Sequence, residues 1–226
     1  MTNNKDGIEA RIIVSGQELE EVDHFKYLGA IISEEGSKQE ILSRAAQTST
    51  ALAKLRPIWQ DKNISLKAKL KLLRTIVFSV FLYASETWTL TADLQRRINA
   101  VEMRCYRRIL GISYTDHVTN ERIRRTIRQQ LGQYEDLLIT VKKRKLKWYG
   151  HVTRSDGLAK TILQGTVRGK RKRGRQRKRW TDNIAEWTDK NFATSQALAQ
   201  DRKGWSRLVH RSTVQRPHDP GGLRDQ

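Results

Sequence analysis

The 226-residue chain carries 44 lysine and arginine side chains against 24 aspartates and glutamates, which leaves a net charge of +20 at pH 7. Such an excess favours a polyanionic partner, because self-repulsion opposes compaction of the isolated chain. The single cysteine, Cys105, excludes an intrachain disulfide and a cysteine-based zinc cluster. The longest apolar run, Thr75 to Ala84, is far shorter than the ~20 residues that cross a bilayer, and the N-terminus has no signal-peptide pattern. These features argue against a secreted miniprotein, an integral membrane protein or a zinc finger, and they favour an intracellular nucleic-acid binder.

The positive charge rises along the chain. Residues 1–60 carry a net charge of −2, residues 61–140 carry +6 and residues 141–226 carry +16. This gradient predicts a near-neutral packed start, a helical middle with one basic face and a basic C-terminal module.

Short strands are predicted near the N-terminus. The segment from Arg11 to Val14 has the composition of a strand, and Ser15 and Gly16 suit a tight turn. Residues 17–19 are predicted to form the returning strand of this hairpin. Another short strand is predicted at residues 30–32. Because two hairpin strands alone are marginally stable in water, we expect this ribbon to pack against helices or against another subunit.

Helical periodicity dominates from residue 37 onwards. The first predicted helix ends near Leu55, because Pro57 disfavours helical geometry at Arg56. The strongest helix signal follows the N-cap residue Ser65, with apolar residues recurring at three- and four-residue steps up to Ala84. The second half of this helix is apolar on all sides, which predicts burial on more than one face.

Basic helices follow in the middle of the chain. Thr91 is a predicted N-cap of a helix closed by Gly111, and Thr119 starts a shorter arginine-rich helix that ends near Gly132. Another helix runs to Trp148 and carries a basic cluster on and beside its polar face. That cluster consists of Lys142, Lys143, Arg144, Lys145 and Lys147.

Beyond Gly150 the helical pattern weakens. Residues 165–179 are rich in glycine, lysine and arginine with hardly an apolar residue, so we expect them to be flexible when unbound. Short helices are predicted from Trp180 to Trp187 and around Trp205, and the tail from Gln215 is predicted to be disordered.

Four motifs, in a fixed order, carry a resemblance to a known family. They are Val22–Ile32 (VDHFKYLGAII), Leu82–Leu90 (LYASETWTL), Lys147–Arg154 (KWYGHVTR) and Gly169–Trp180 followed by Asp182, Ile184 and Trp187. Together they resemble the C-terminal part of the reverse transcriptases of non-LTR (LINE-type) retrotransposons, and within that family the RTE-like branch most of all. The resemblance spans roughly residues 8–205.

With the periodicity, this resemblance implies a mainly α fold. An N-terminal β-hairpin would be followed by a helical thumb-like bundle and a basic, partly flexible C-terminal module. The corresponding segments are 1–36, resembling the end of the palm, 37–150 for the thumb-like domain, 151–214 for the basic region and 215–226 for a disordered tail. By the same resemblance, Phe25, Tyr27, Leu28 and Gly29 would lie in the hairpin that positions the primer end.

The catalytic palm of such enzymes is not expected in this chain. In the family, the palm aspartates that hold two Mg²⁺ ions precede the hairpin motif. Here only 24 residues precede Phe25, and no Asp-Asp pair occurs anywhere. We therefore expect no catalytic residue, no metal site and no cofactor in this chain, with Mg²⁺ only where another chain supplies a palm. Polymerisation by this chain alone is not expected.

Basic side chains on the predicted helix faces and in the glycine-spaced run are candidates for phosphate contacts, which position a protein without reading sequence. For the helical ones, a solvated helix face is an equal alternative. The candidate nucleic-acid-binding residues are Lys26, Lys67, Lys71, Arg97, Arg104, Arg108, Lys143, Lys147, Arg154, Lys170, Arg171, Arg173, Arg175, Arg177 and Arg179.

Of these features, the basic run Arg168–Arg179 is the most specific indication of nucleic-acid binding. A glycine-spaced run can follow a groove and release a counterion from each phosphate that it neutralises. Arg173-Gly174-Arg175 resembles the core of an AT-hook, but Gln176 stands where that motif has proline, so A·T selectivity is not implied. A nuclear localisation signal is a compatible interpretation.

Four of the motif residues have structural alternatives that we prefer on sequence alone. Phe25 and Tyr27 are typical of core packing, and Trp148 is more typical of a core residue than of a base-stacking platform. His151 has no cysteine or second histidine within zinc-ligand spacing, so a structural role is preferred.

These observations lead to one functional hypothesis and two alternatives. The first is a truncated reverse-transcriptase-like protein that binds RNA or DNA in the nucleus, with the cytoplasm as a second location, and has no link to membranes. The alternatives are a co-opted basic adaptor or architectural protein, and a non-functional retroelement remnant. Packing of the apolar segment Thr75–Trp88 within the chain favours an independent protein. Exposure of that segment favours a fragment whose apolar helix is covered by a complete reverse transcriptase or another protein.

Overall fold

The computed structural model of the chain describes residues 13–20, 22–33, 35–165 and 177–213. Over these residues the protein is mainly α-helical, with β-hairpins only at its N-terminal end, so the predicted fold class is confirmed. Most of the basic run, residues 168–176, and the tail 215–226 lie outside the described residues, together with the flexibility predicted for them.

The chain divides into two compact units. The first, called here the hairpin unit, comprises Met1–Ala84 and Met103–Leu131; the second, the C-terminal unit, comprises Ser85–Glu102 and Gly132–Gln226. The predicted segment boundaries at residues 36, 150 and 214 stay a prediction.

Two antiparallel hairpins open the described chain. Strand β1 (Ile13–Val14) pairs with β2 (Gln17–Glu18), and β3 (His24–Tyr27) pairs with β4 (Ala30–Ser33). Both residues of the turn between β3 and β4 have positive φ, Leu28 with 46° and Gly29 with 82°. That geometry matches the right-handed twist of two strands joined by a two-residue loop.

Eleven α-helices occur in the described residues, several of them short. Their bounds are α1 Lys38–Lys54, α2 Arg56–Gln60, α3 Leu66–Leu72, α4 Phe78–Phe81, α5 Ala92–Leu110, α6 Asn120–Leu131, α7 Leu137–Arg154, α8 Leu158–Gln164, α9 Trp180–Thr188, α10 Phe192–Gln200 and α11 Arg202–Thr213. A π-helical turn, Leu73–Val77, joins α3 to α4, and short 3₁₀ turns lie at Ser85–Thr87 and Tyr114–Asp116.

Capping residues explain where several helices begin and end. The hydroxyl of Ser65 accepts a hydrogen bond from the Ala68 N–H at the start of α3, at 3.3 Å. At the C-terminal end of α5, Gly111 has φ +67° and the Ile112 N–H reaches the Arg107 carbonyl at 3.0 Å. The caps predicted at Ser65 and Gly111 are confirmed.

The apolar segment after α3 is packed in the core of the hairpin unit. Val77, Phe78 and Phe81 are at most 2% exposed. Helix α4 packs against α1, and the Phe78 ring meets the Tyr106 ring edge to face with centroids 5.9 Å apart. Only part of the circumference is covered, because Ile76 remains 45% exposed.

Two predictions in this unit are wrong. The first predicted helix does end near Leu55, since α1 stops at Lys54, but the helical geometry that Pro57 was expected to disfavour at Arg56 is present. Helix α2 begins there and accommodates Pro57 in its first turn, where no intrahelical N–H donor is needed. Phe25 and Tyr27 are not core residues, since they are 42% and 59% exposed. Their strand has only one neighbour, so no layer covers that face among the described residues.

The core of the C-terminal unit is an aromatic cluster on α7, α9, α10 and α11. Tyr149 is fully buried and lies with its ring centroid 5.3 Å from that of Trp205 and 6.3 Å from that of Phe192. Gly150 makes this packing possible, because a Cβ at that position would lie 2.4 Å from the Trp205 indole. The indole N–H of Trp205 donates to the Leu146 carbonyl at 2.9 Å.

None of the helices in the described residues is both long and apolar enough to cross a membrane.

Candidate nucleic-acid interface

The β3–β4 hairpin is held to the helices of its unit by polar contacts. The guanidinium of Arg44 on α1 donates to the Gly29 carbonyl at 2.5 Å and to the Glu40 carboxylate at 2.6 Å. The other carboxylate oxygen of Glu40 accepts the Ile31 N–H at 2.7 Å. The Tyr83 hydroxyl donates to the Leu28 carbonyl at 2.5 Å. These contacts fix the hairpin tip, including the positive φ of Leu28.

The hairpin presents an apolar surface to solvent. Phe25 and Tyr27 alternate with Lys26 along β3, so the two aromatic side chains lie on one face of the ribbon and the lysine on the other. Lys26 is exposed, and Leu28 at the tip is 75% exposed. The predicted primer-grip-like residues Phe25, Tyr27, Leu28 and Gly29 are therefore together and accessible.

Two pairs of basic residues in the hairpin unit have the spacing of a helix face. Lys67 and Lys71 lie four residues apart on α3, and Arg104 and Arg108 lie four residues apart on α5. All four side chains are exposed, and none forms an ion pair with a described carboxylate. They are thus accessible, and phosphate contacts by these four residues stay a prediction.

Other predicted contact residues are occupied within the protein. Arg97 donates to Asp93 at 2.8 Å, and Lys143 pairs with Glu135. The guanidinium of Arg154 donates to the Ala199 carbonyl at 2.7 Å and so joins α7 to α10. An exposed pair such as Arg97–Asp93 is easily exchanged for a phosphate contact, whereas Arg154 contributes to the fold of its unit.

Helix α7 carries Lys145 on its buried face, not on the polar face where the sequence pattern placed it. Its side chain is fully buried, and Nζ donates to the Trp88 carbonyl at 2.7 Å and to Oδ1 of Asn183 at 2.9 Å. Nζ also lies 4.4 Å from the centroid of the Trp180 ring. Among the described residues, no carboxylate accepts a hydrogen bond from this amine.

Burial sets the protonation of Lys145. Loss of solvation lowers the pKa of Lys145 to about 6, and the nearby Lys178 acts in the same direction, while Asp182 and Glu186 partly oppose it. Burial also lowers the pKa of Lys142, whose Nζ is 5.3 Å from the Trp187 ring centroid. Lys145 therefore contributes no full positive charge to an interface at neutral pH.

The position of Lys145 along α7 could have indicated from the sequence that its side chain is buried. It lies four residues after Val141 and four before Tyr149, and both of those side chains are fully buried. Its partner Asn183 gave no comparable signal. The Asn183 amide bonds both backbone polar groups of Leu90, at 2.7 and 2.8 Å, a contact that only the tertiary fold creates.

The basic run is described only at its C-terminal end. Arg177 and Arg179 are exposed, and Lys178 pairs with Glu186. The predicted contact residues Lys170, Arg171, Arg173 and Arg175 lie outside the described residues.

The histidine and tryptophan of the third motif have different environments. His151 is exposed, and Trp148 is half-buried with its ring centroid 5.2 Å from that of Trp180. Within the described ranges, no group of three or more His, Cys, Asp or Glu side chains could hold a metal ion. Trp148 thus belongs to the aromatic packing of its unit, as predicted.

Fold and exposed charge define a basic, mainly α-helical protein with two compact units. At 30% identity over 209 residues, it is similar to a putative uncharacterized transposon-derived protein of Caenorhabditis elegans, F52C9.6; the match covers 88% of this chain and 75% of that protein. The chain therefore belongs to this family of transposon-derived proteins, and the transposon origin implied by its motifs is confirmed. No protein-family model matches the chain. No solved structure matches it either.

Proposed function

We propose that the chain derives from the C-terminal part of a non-LTR reverse transcriptase of the RTE-like branch and binds RNA or DNA through sequence-independent phosphate contacts. The transposon-derived relative supports the origin, and the four ordered motifs support the finer assignment. Polymerisation is not part of the proposed function.

One observation carries the proposal of nucleic-acid binding. Exposed basic side chains without a carboxylate partner among the described residues recur in both units. They include Lys67, Lys71, Arg104 and Arg108 in the hairpin unit and Lys147 in the C-terminal unit. The chain carries a net charge of +20, so binding of a polyanion to these surfaces is favourable. Each phosphate that a basic side chain neutralises releases counterions into solution, and this release contributes to the affinity.

A salt titration tests this function. Fluorescence anisotropy with a labelled duplex should give a log affinity that falls linearly with log salt, with a slope of about −0.9 per phosphate contacted and roughly five to eight contacts. Duplexes of unrelated sequence should give the same slope. A slope near zero would contradict the proposal.

The absence of polymerase activity is tested separately. In a primer-extension assay with Mg²⁺, the chain alone should yield no product above a buffer blank, and a complete reverse transcriptase serves as the positive control. Extended primer made by the purified chain would refute this part of the proposal.

We also propose nuclear targeting by the basic run. Lys170, Arg171, Arg173 and Arg175 have the composition of a nuclear localisation signal. A fluorescent fusion in which these four residues are changed to glutamine should move from nucleus to cytoplasm. A matched fusion with Lys67 and Lys71 changed should stay nuclear.

A second candidate function is that of an adaptor co-opted from the element, with a complete reverse transcriptase as partner. The apolar face of the hairpin favours it, since Phe25 and Tyr27 are 42% and 59% exposed and no layer of the described residues covers them. Phe25→Ser with Tyr27→Ser should preserve nucleic-acid affinity and abolish co-purification with the reverse transcriptase. Unchanged co-purification would exclude the hairpin as the contact.

A further inference from the structure

A groove of about 690 Å³ lies in the hairpin unit, and no sequence motif pointed to it. Arg56, Trp59 and Gln60 of α2 form one side of it, and residues 107–113, at the C-terminal end of α5 and just beyond, form the other. Its volume falls within the ~300–1,000 Å³ typical of ligand sites.

The walls of this groove are cationic. Arg56, Arg107 and Arg108 line it together, and no aspartate or glutamate is among its lining residues. Arg56 and Arg108 are exposed and form no ion pair with a described carboxylate. The Arg107 guanidinium is held in place by the Val118 carbonyl at 2.8 Å and by Asn120 Oδ1 at 2.9 Å. Three arginines that share one groove repel each other unless an anion neutralises them.

Two described acidic residues lie close to the groove segments in sequence, and neither forms an ion pair with the groove arginines. Asp61 directly follows Gln60, and its carboxylate accepts the Asn63 N–H at 2.8 Å. Asp116 follows the groove segment by three residues, and its carboxylate accepts the Ser113 N–H at 2.6 Å in a capping contact. The carboxylate is thus committed to the short 3₁₀ turn.

The floor of the groove is apolar and fixed. Trp59 is 6% exposed, and its indole N–H donates to the Leu52 carbonyl at 2.8 Å. Ile109 is 7% exposed, and Ile112 beside it is half-buried. A ligand that fills this groove therefore has anionic groups for the walls and a flat apolar part for the floor.

We infer that the groove binds a short single-stranded stretch of RNA or DNA, with phosphates on Arg56 and Arg108 and unpaired bases against the apolar floor. The inference rests on the proposed function and adds a strand preference to it. A duplex presents its phosphates outwards and keeps its bases stacked inside, so it satisfies the arginines but leaves the floor uncovered. An unpaired strand offers both chemical parts at once.

The decisive experiment compares two double variants of the full chain with the same loss of charge. Arg56→Gln with Arg108→Gln removes the free groove cations, and Lys67→Gln with Lys71→Gln removes two exposed cations of α3. Each protein is titrated by anisotropy with oligo(dT), oligo(U) and a duplex of equal length at one salt concentration. Circular dichroism melts verify that both variants are folded.

The groove variant should lose roughly ten times more affinity for the single strands than for the duplex. The α3 variant should lose affinity for all three probes by similar factors. Equal losses for oligo(dT) and oligo(U) assign the contacts to the chemistry that RNA and DNA share, and a larger loss for one identifies the preferred strand. Equal losses of single-strand and duplex binding in the groove variant would overturn the inference.

Failure of the inference differs visibly from failure of the proposed function. If the wild-type chain binds no probe in a salt-dependent way, the proposed function fails. If it binds all probes but the groove variant shows no strand selectivity, only the groove assignment fails.

A measurement on the wild-type chain does not depend on the variants. Ultraviolet crosslinking of an oligonucleotide that contains 5-bromouracil, followed by mass spectrometry, should place adducts on peptides that contain Trp59 or residues 107–113. Adducts confined to other peptides would contradict the inference.

Discussion

Within the described residues, each compact unit buries one basic side chain, Arg44 or Lys145, and the two units compensate its charge differently. In the hairpin unit, the guanidinium of Arg44 faces the carboxylate of Glu40 at 2.6 Å, and both side chains are almost fully buried. In the C-terminal unit, the acceptors that the described residues offer to the amine of Lys145 are uncharged: the Trp88 carbonyl and the Asn183 amide oxygen.

The difference follows from the chemistry of the two side chains. An arginine keeps its proton at any accessible pH and therefore needs a counter-charge when it is buried. A lysine can release its proton, and burial lowers the pKa of Lys145 to about 6. The hairpin unit thus holds a permanent charge pair, while the C-terminal unit holds an amine whose charge depends on pH.

Breaking the charge pair should have the largest effect. Arg44→Met leaves the Glu40 carboxylate buried without its partner, which should lower the free energy of unfolding of the hairpin unit by about 3–5 kcal/mol. Hydrogen exchange followed by mass spectrometry should show faster exchange in peptides covering β3 and β4.

Arg97→Met is the matched control for this variant. Arg97 pairs with Asp93 at the same spacing of four residues, but both side chains are about half exposed. The control should change stability by about 1 kcal/mol or less. Similar costs for Arg44→Met and Arg97→Met would show that burial does not distinguish the two pairs.

Filling the space at Gly150 should have the next largest effect, because the C-terminal unit depends on aromatic packing. In Gly150→Ala, the new methyl group would lie 2.4 Å from the Trp205 indole, so the ring or the helix must move. We expect a loss of about 1–3 kcal/mol in urea unfolding followed by circular dichroism.

Gly204→Ala provides the comparison within the same unit. Its new methyl group meets the side chain of Asp201, which can rotate away at the cost of its 3.0 Å contact with the Lys203 N–H. The change in stability should stay below about 1 kcal/mol, because alanine favours helix over glycine and offsets part of that cost. Equal destabilisation by both substitutions would contradict the packing role of Gly150.

The pH dependence of stability distinguishes the two buried cations directly. Between pH 6 and 10.5 the unfolded chain binds a proton at Lys145 that the folded chain does not, so folding stability rises with pH and falls on acidification. The contribution is at most about 1.4 kcal/mol per pH unit. Lys145→Met should remove this slope in urea unfolding measured from pH 7 to 9.

Two controls accompany the pH experiment. Lys147→Met removes an exposed lysine from the same helix and should keep the wild-type slope. Arg44→Met should also keep the slope while lowering stability at every pH. A wild-type slope in the Lys145→Met protein would refute a neutral buried amine.

The smallest predicted effect concerns the hairpin tip. Tyr83→Phe removes the hydrogen bond to the Leu28 carbonyl, which should cost about 0.5–1.5 kcal/mol and increase amide exchange at the tip. Tyr114→Phe, at a side chain that is 90% exposed, should have no measurable effect. Unchanged exchange at the tip in Tyr83→Phe would show that the contacts of Arg44 and Glu40 suffice to fix the turn.

Local signals in the sequence sufficed for many of the helices. Ser65 and Thr91 begin helices because their hydroxyls accept backbone N–H groups three residues on, at 3.3 Å in both cases. Gly111 ends one because it adopts a positive φ. These effects involve neighbouring residues only, and a single sequence contains them in full.

Contacts between distant segments could not be predicted from such local signals. The π-helical turn Leu73–Val77 has no local marker, and α10 was not predicted because its apolar residues are only weakly periodic. The roles of Arg154 and Lys145 depend on acceptors 45 and 57 residues away. The groove between Arg56 and Arg108 likewise exists only in the folded chain. Charge alone therefore overestimated how many basic residues are available at the surface.

The two units differ in tryptophan content, so intrinsic fluorescence distinguishes them. Of the six tryptophans, only Trp59 belongs to the hairpin unit, and the other five belong to the C-terminal unit. Intrinsic fluorescence will therefore report mainly on the C-terminal unit. In a Trp59→Phe protein, tryptophan fluorescence would report on that unit exclusively, so its unfolding could be followed without a label.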